Sequence, residues 1–395
     1  MEIATIDVNL FDRSVIEDPY PVYEEIRAAG RVVWNGVLQS WMVAGFDDCS
    51  AVLTDTERFV KMSGDPGLVS SSESPNMHHA DGAEHVRLRR SFVPLFSRQA
   101  ISKWERRVAE VVDELLAPLV QGADNFDLIA DFTMIPTVIV AEMLGVPPER
   151  HQDFRRWSNT IASNIAYGRE DAHTREMMLR AGQELDAYLS EEIERHRREQ
   201  PDDLITAMLH MDQLNEGEMR STARLLVVAG YDTTAKLLGN ALVALEQHPD
   251  ERRALAGDPS RVPAAIEEVL RWVGVAQMTP RRVVRDTALA GTELSAGDTV
   301  NAMIGAANRD PARWPDPLRF DVRRELKSNL GFGFGPHVCL GAPLARLEAK
   351  VALARLLSIA PEYRLRDVDL GNGFFVRGPE RGFIDVMTPA STQPS

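Results

Sequence analysis

The chain has 395 residues, of which 44% are hydrophobic, 26% charged and 7% aromatic, a composition that excludes a disordered or fibrous protein. Lys plus Arg number 44 and Asp plus Glu number 59, so the formal charge of −15 argues against a general nucleic-acid binder. The two cysteines, Cys49 and Cys339, lie far apart, which argues against a disulfide scaffold or a zinc finger.

The chain shows no sign of a targeting or membrane segment. Its first residues lack a basic stretch followed by an apolar run, and no stretch approaches about 18 consecutive apolar residues. We therefore expect a soluble, cytoplasmic protein without a membrane anchor. Since no repeat or linker divides the sequence, we expect one domain over 1–395.

The N-terminal part predicts a short hairpin and a loop. Segments 32–34 and 41–43 flank a Gly-containing turn, and a helix is predicted over 46–54, where Cys49 is interpreted as a small buried hydrophobe. Residues 63–80 are rich in Ser, Pro and Gly and predict a long surface loop. A loop of this length is either an ordinary exposed loop or a lid or binding segment.

Most of the remaining chain is predicted to be helical. Apolar residues recur at spacings of three and four over 100–119, 131–144, 152–166, 174–198, 216–248, 263–272 and 342–358. Short β-like segments cover 282–294 and 299–303. Because helix dominates, we expect a mainly α fold with a small β-rich region rather than an alternating βαβ architecture.

The centre of the longest helical run, 225–245, reads LLVVAGYDTTAKLLGNALVAL. Its apolar face continues through Gly230, which favours one helix over a strand followed by a new helix. Asp232 and Thr233 lie in mid-helix beside that glycine, where an acid and a hydroxyl can bond the backbone or admit water and loosen the helix. A solvated or kinked helix without further function is the alternative.

The segment 332–341 reads FGFGPHVCLG and displays Cys339 just before the helix predicted over 342–358. The N–H groups of such a loop and the helix dipole favour a thiolate, so we expect a lowered thiol pKa and a metal ligand. A dinucleotide-binding loop is disfavoured because the third glycine and the acidic residue about 20 positions later are missing.

This segment resembles the haem-binding loop of the cytochrome P450 family, Phe-Gly-x-Gly-x-His-x-Cys-x-Gly, at every specified position. The resemblance implies the triangular, mainly helical P450 fold, with haem b between the long central helix and the Cys loop. It also implies that Cys339 is the axial thiolate ligand of the haem iron. The residues implied to bind the cofactor are His85, Arg89, Arg281, Phe332, His337 and Gly341, with Arg282 as a rival to Arg281.

Two further segments resemble family motifs. The run AGYDTT at 229–234 resembles the oxygen-activation motif, which implies catalytic roles for Thr233, beside bound dioxygen, and Asp232, beside the proton route. Residues 268–271 and 317–320 resemble the family's Glu-x-x-Arg helix and Pro-x-Arg-Phe segment. That resemblance implies that Glu268, Arg271 and Arg319 lock the core around the haem.

The resemblance implies a monooxygenase that inserts one oxygen atom from O2 into an apolar small molecule. Its electrons would come from NAD(P)H through a reductase and a ferredoxin or flavodoxin, and we expect a monomer. One alternative is a peroxide-driven peroxygenase of the same fold, whose site usually lacks the acid and alcohol pair. The other is a non-enzymatic haem sensor or carrier, which needs neither pair nor pocket.

Family position also indicates the surfaces that meet substrate and electron donor. The residues expected to line the substrate pocket, each of which could equally belong to the core, are Leu68, Val69, Ile165, Tyr167, Val228, Ala229, Val275, Met278, Phe374 and Phe375. Several basic residues are expected on the side of the haem that carries the cysteine. They would dock an acidic ferredoxin, or else they are ordinary solvated charges. They are Arg87, Arg90, Arg98, Arg346, Lys350 and Arg355.

Overall fold

The computed structural model describes residues 3–61, 75–122, 126–167 and 172–387. The helices in these ranges are α1 (Arg13–Glu17), α2 (Tyr20–Ala29), α3 (Phe46–Thr54), α4 (Gly82–Arg90), α5 (Arg98–Ser102), α6 (Glu105–Val120), α7 (Leu128–Asp131), α8 (Met134–Met143), α9 (His151–Tyr167), α10 (Ala172–Glu199), α11 (Leu204–Leu209), α12 (Glu216–Gln247), α13 (Pro249–Gly257), α14 (Val262–Trp272), α15 (Ile304–Ala307) and α16 (Ala342–Ile359).

The strands in the described ranges are short. They are β1 (Thr5–Ile6), β2 (Val33–Asn35), β3 (Ser40–Val43), β4 (Phe59–Val60), β5 (Thr279–Val283), β6 (Thr287–Leu289), β7 (Thr292–Leu294), β8 (Thr299–Ala302), β9 (Tyr363–Asp369) and β10 (Arg381–Val386). Helix therefore dominates, and the prediction of a mainly α fold with a small β-rich region is confirmed.

The largest sheet joins strands from residues 5–60 to strands from residues 279–302. Its strand order is β1-β2-β3-β8-β5-β4, while β9 pairs with β10 and β6 with β7. The predicted hairpin is present as β2 and β3, with Val33 opposite Met42. Next to it, β8 runs parallel to β3 and antiparallel to β5, which places Arg281 opposite Val300. The sheet thus brings β8 beside the N-terminal hairpin and β5 beyond it, a pairing that local periodicity does not reveal.

The main hydrophobic core lies between the helices. Buried side chains of α4, α6, α8, α9, α10, α12, α14 and α16 form one cluster, in which α12 runs through the middle. Two smaller clusters cover the sheet and the N-terminal helices, and Cys49 is buried in the first of them, as predicted. Within the part of the chain that the structure describes, no helix has the length and apolar character needed to cross a bilayer.

The predicted helices are all present, with local differences. The run 100–119 divides into α5 and α6, and the run 131–144 corresponds to α8, with the short α7 ending where that run begins. The bounds of α9, α10, α12, α14 and α16 lie within two residues of those predicted. Residues 62–74, most of the predicted loop, lie outside the described ranges.

The charged cluster around Glu268 differs from the sequence prediction. Arg271 Nε lies 2.7 Å from Glu268 Oε2, and both side chains are buried, as predicted. Arg319 is different, because its side chain is 64% exposed and lies 3.7 Å from Asp321, while only its backbone carbonyl accepts a hydrogen bond from Arg271. The second basic partner of Glu268 is Arg324, whose Nε lies 3.2 Å from Oε1.

The predicted role of the Arg319 side chain in this lock is therefore wrong. A buried carboxylate recruits the guanidinium that can reach it without leaving an unpaired charge. The segment 319–324 contains three arginines, and its sequence alone does not indicate which of them turns inward.

This geometry predicts different stabilities for two matched substitutions. We expect Arg324→Met to lower the free energy of unfolding by about 2–4 kcal/mol, because it leaves part of the buried Glu268 carboxylate without its partner. We expect Arg319→Met, at an exposed position, to change it by less than about 0.5 kcal/mol. Urea unfolding followed by circular dichroism measures both. Equal losses in the two variants contradict the assignment.

Candidate active site

The central helix α12 presents two exposed residues in a largely buried run. It begins with a capping box in which Asn215 and Glu218 bond each other's backbone N–H. Ala229 and Thr233, one turn apart in its middle, are exposed, so this stretch of the helix borders open space. The Thr233 hydroxyl donates to the Ala229 carbonyl at 3.0 Å. The helix continues unbroken through Gly230, so the expected local loosening is not observed.

Asp232 is held in an ion pair that the sequence analysis missed. Its Oδ2 lies 2.7 Å from Lys236 Nζ, one turn further along α12, and Lys236 Nζ lies 3.3 Å from Glu380 Oε1. The spacing of four between an acid and a lysine on one helix was the available signal. The contribution of Glu380 could not be foreseen, because it comes from the far end of the chain.

The Cys339 loop is closed by its own backbone and packed against α3. The Cys339 N–H donates to the Phe332 carbonyl at 2.8 Å, and the ring of Phe332 lies under the guanidinium of Arg346 at 4.5 Å. Gly335 has a φ of +72°, and a Cβ there would lie 2.9 Å from the carbonyl oxygen of Leu53. The loop therefore needs glycine at this position both for its backbone conformation and for its close approach to α3.

Cys339 is exposed at the N-terminal side of α16, but its electrostatics differ from the prediction. The surrounding protein desolvates the thiol and raises its pKa, whereas the N–H groups of Gly341 and Ala342 and the charge of Arg89 lower it. The loop donors thus act in the predicted direction, yet the net shift is upward. The prediction of a lowered pKa is wrong for the protein by itself, because desolvation outweighs a few N–H dipoles.

A buried carboxylate joins α16 to α12. Glu348 is 1% exposed and forms a hydrogen bond with Thr234, the neighbour of Thr233. Burial raises the pKa of Glu348 to about 8, and the Thr234 hydrogen bond only partly opposes this. The sequence analysis missed Glu348, although its position on the apolar stripe of α16, between Leu344 and Val351, was a signal.

The predicted cofactor-binding histidines lie together. The rings of His85 on α4 and His337 in the Cys loop are 4.2 Å apart between centroids. His337 Nε2 lies 2.8 Å from Asp81 Oδ1, a partner that the sequence analysis did not identify. His85 is buried, its Nε2 has no hydrogen-bond partner in the described structure, and burial lowers its pKa to about 4. Arg89 donates to the Val338 carbonyl, which ties α4 to the loop.

Strand alternation separates Arg281 from its rival Arg282. Along β5 the Arg281 side chain points inward and is buried, whereas Arg282 is exposed. Arg281 donates to Thr279 Oγ1 and the Pro280 carbonyl but makes no ion pair among the described residues. Burial lowers its pKa to about 10, and the charge of Asp81 only partly opposes this.

These residues fit the haem that the sequence resemblance implies. A buried guanidinium without a carboxylate and a buried imidazole nitrogen without a partner are costly unless an acceptor reaches them. Haem carries two carboxylates that Arg281, Arg89 and His85 can bind, and an iron that the exposed Cys339 sulfur can ligate. The donor set therefore matches a thiolate-ligated haem.

The predicted pocket residues divide into several groups. Leu68, Val69 and the side chains of Ile165 and Tyr167 lie outside what the structure describes. Ala229 is exposed and Phe375 half-buried, so both have surface available to a ligand, whereas Val228, Val275 and Met278 are buried with 4%, 6% and 6% of their surface accessible. Phe374 has no accessible surface and packs against Phe11, with ring centroids 6.4 Å apart. Its assignment to the pocket is wrong, because its ring is part of the N-terminal core.

Comparison with known proteins finds one family. The sequence model of the family described as Cytochrome P450 matches residues 32–258 and 261–359. Cytochrome P450 107B1 of Saccharopolyspora erythraea is 34% identical, covering 91% of this chain and 92% of its own length. Mycinamicin IV hydroxylase/epoxidase of Micromonospora griseorubida is 37% identical, covering 86% and 88% respectively. The crystal structure of CYP109E1 from Bacillus megaterium in complex with testosterone superposes with a TM-score of 0.87 at 29% identity, covering 95% of this chain and 100% of that one.

The buried arginine yields a test of haem binding that does not depend on activity. We expect Arg281→Met to release haem to a scavenging apo-globin at least about tenfold faster than the wild-type protein, because a charge-assisted hydrogen bond to a haem carboxylate is lost. Arg282→Met, at the neighbouring exposed position, is the matched control and should leave the rate unchanged. The Soret band reports haem transfer. The same rate in both variants argues against Arg281 as a haem ligand.

Proposed function

The chain belongs to the cytochrome P450 family, and we propose that it oxidises an apolar small molecule with electrons passed from NAD(P)H by separate carrier proteins. As a haem-thiolate monooxygenase it is an oxygen-incorporating oxidoreductase. For a hydroxylation the balance is RH + O2 + 2 e− + 2 H+ → ROH + H2O. One arrangement carries the proposal. Exposed Cys339 lies just before α16, and α16 is tied to α12 through Glu348 and Thr234. On α12, Thr233 is exposed and follows the acidic residue Asp232.

The protein's contribution is to hold and orient the cofactor. When bound, haem supplies the iron chemistry that activates dioxygen. We propose that Cys339 ligates the iron, that Phe332 and Gly341 border the cofactor in the Cys loop, and that His85, Arg89 and Arg281 bind the haem carboxylates. His337 is already engaged by Asp81, so we propose that it orients the cluster next to His85 as well as meeting a carboxylate itself.

We propose that Asp232 and Thr233 deliver the two protons that the reaction consumes. The Thr233 hydroxyl lies on the exposed stretch of α12 and is oriented by its bond to Ala229, so it can order a water molecule near the reacting atoms. Asp232 can exchange protons with polar surroundings, since its side chain is 19% exposed. A peroxide-driven enzyme receives its protons with its oxidant, so an acid and alcohol at this position favour the O2-dependent reaction over the peroxygenase.

Substitution of the hydroxyl tests that role. We expect Thr233→Ala to retain haem and to consume NAD(P)H at a similar rate, while the share of electrons recovered in product falls by about tenfold and hydrogen peroxide rises. Oxygen consumption, peroxide and product are measured together, and the carbon monoxide difference spectrum serves as the control for an intact thiolate-ligated haem. Unchanged coupling between NAD(P)H and product contradicts the role proposed for Thr233.

For the substrate we propose a bulky apolar molecule. The expected pocket residues that expose surface, Ala229 and Phe375, are apolar, and so are the buried Val228, Val275 and Met278. Binding therefore depends mainly on burial of apolar area. The names of two similar proteins point the same way, since one is a mycinamicin hydroxylase and the other binds testosterone.

A panel of ligands tests this substrate class. We expect at least one of a macrolide, testosterone and myristic acid to shift the Soret band of the ferric protein at micromolar concentration, because an apolar ligand displaces water from the site. Matched polar molecules, such as a glucuronidated steroid, serve as controls. A shift with the polar set alone contradicts an apolar substrate class.

The basic surface on the cysteine side is smaller than the sequence suggests. Four of its six predicted members are paired with acids, since Arg87 meets Glu218, Arg346 meets Glu267, Lys350 meets Glu105 and Arg355 meets Asp113. Arg90 and Arg98 are exposed and form no ion pair among the described residues. Three apolar side chains are also exposed: Val86 one turn before Arg90 on α4, Val93 three residues after it, and Val338 in the Cys loop.

We therefore propose that an acidic ferredoxin docks at Arg90 and Arg98 and covers these exposed valines. A transient electron-transfer interface is small, and unpaired charges at its edge accelerate association. Lys350 and the three paired arginines contribute less, because their acidic partners already neutralise them.

Charge reversal distinguishes the two groups of residues. We expect Arg90→Glu together with Arg98→Glu to slow association with an acidic ferredoxin by about tenfold at low ionic strength and to weaken its salt dependence. Lys350→Glu, the comparison variant, should have a clearly smaller effect. Stopped-flow reduction under carbon monoxide measures the rate, and ligand binding should be unaffected. An unchanged rate in the double variant removes these residues from the docking site.

A further inference from the structure

Lys236 is a buried cation on the central helix. Its side chain is 2% exposed, and Nζ lies 2.7 Å from Asp232 Oδ2, 3.3 Å from Glu380 Oε1 and 3.3 Å from the carbonyl oxygen of Val376. Burying an ammonium group is costly unless its partners are well placed. A fold that needed only packing here could use an apolar side chain of the same length. The charge of Lys236 therefore calls for an explanation.

The segment 376–380 holds Lys236 in place. A Cβ on Gly378 would lie 2.7 Å from Lys236 Cβ, and a Cβ on Gly239 of α12 would lie 2.6 Å from a ring carbon of Pro379. The Asn240 side chain donates to the Arg377 carbonyl at 3.0 Å. These close contacts press the segment onto α12, so that Lys236 has little freedom to swing away from its two carboxylates.

The charges on Asp232, Lys236 and Glu380 depend on one another. Burial acts to lower the pKa of Lys236, but the adjacent carboxylates of Asp232 and Glu380 outweigh burial and raise it. Lys236 is therefore an ammonium at neutral pH, and it takes up one oxygen of Asp232. This contact fixes where the other oxygen of Asp232 lies.

Asp232 and Glu380 also line a cavity of about 420 Å3. Its opposite wall is formed by polar side chains of α9, among them Gln152, Arg155 and Asn159. A space of this size with several donors and acceptors can hold ordered water. The Asp232 carboxylate thus borders a polar cavity, and Thr233 is the next residue of α12.

We propose that Lys236, secured by Glu380, is a positioning residue for proton delivery: it holds the Asp232 carboxylate at the wall of this cavity, from which protons reach Thr233. The proposal rests on the role proposed above for Asp232. Lys236 touches neither haem nor substrate in it, and it acts only by fixing the orientation of Asp232. Asp232 accepts a proton from water in the cavity at the oxygen that Lys236 leaves free and passes it toward Thr233, which restores the carboxylate. Solvent resupplies the cavity water, and two such transfers provide the two protons that the reaction consumes.

The test measures the share of electrons recovered in product for Lys236→Met, Asp232→Asn and the double variant of the haem-loaded protein. The substrate is the panel compound that gives the largest Soret shift. We expect Lys236→Met to lower the share of electrons recovered in product by about two- to tenfold, the range for one lost hydrogen bond. In the Asp232→Asn background the same substitution should have no further effect. Lys327→Met, at an exposed lysine, is the matched control.

A nuclear magnetic resonance signature supplies a readout that is independent of activity. In 15N spectra of the lysine ammonium groups, the signal that disappears in Lys236→Met belongs to Lys236. We expect this signal to shift in both Asp232→Asn and Glu380→Gln, because each removes one of its charged partners. No shift in either variant overturns the proposed charge cluster.

The outcomes separate the positioning role from the function itself. If Asp232→Asn uncouples the reaction and Lys236→Met does not, Lys236 has no positioning role, and the function of Asp232 stands. If Asp232→Asn recovers the same share of electrons in product as the wild-type protein, the role proposed for Asp232 is wrong, and so is the positioning role of Lys236. Should Lys236→Met fail to bind haem, Glu380→Gln decides: about twofold weaker coupling supports the proposal, and unchanged coupling overturns it.

Discussion

The contact between α12 and α16 is the constraint on which the rest of the site depends. Cys339 lies immediately before α16, and Thr233 lies in the middle of α12, so the relation between the two is set by how these helices pack. Apolar side chains supply most of that contact, and the buried Glu348 adds one specific bond to Thr234. Any change in the rotation or register of α16 moves the Cys loop relative to the acid and the hydroxyl.

The other devices of the structure serve to keep that relation. The Cys loop is closed by its own backbone bond to Phe332, seated on α3 at Gly335 and tied to α4 through Arg89. Below it, the Glu268 cluster joins α14 to the segment that precedes the loop. Rigid positioning of reacting groups is worth more to an enzyme than any single contact, because misplacement by about 1 Å can cost two orders of magnitude in rate.

Buried charges in this protein show two patterns. Glu268 and Lys236 are each surrounded by opposite charges from the chain itself, which is the usual way to offset desolvation. Arg281 is buried without an acidic partner among the described residues. The first pattern fits a structural or positioning role, whereas the second leaves a guanidinium that can meet an anion from outside the chain. Arg309 and Arg377 are also buried without an ion pair among the described residues, but backbone carbonyls and aromatic rings already contact them. To distinguish the two patterns, one must know whether a charged side chain is buried and which residue it contacts, and a sequence shows neither.

The sequence by itself determined what depends on neighbours along the chain. The Gly-rich loop around Cys339, the unbroken apolar face of α12 and the pairing of Glu268 with Arg271 are all local patterns in the sequence. Only the tertiary structure decided which distant side chain completes each group: Arg324 rather than Arg319 beside Glu268, Glu380 beside Lys236, and Phe374 in the core. The reason is physical, because a buried charge or ring takes the partner that packing brings within reach, and sequence spacing does not encode that distance.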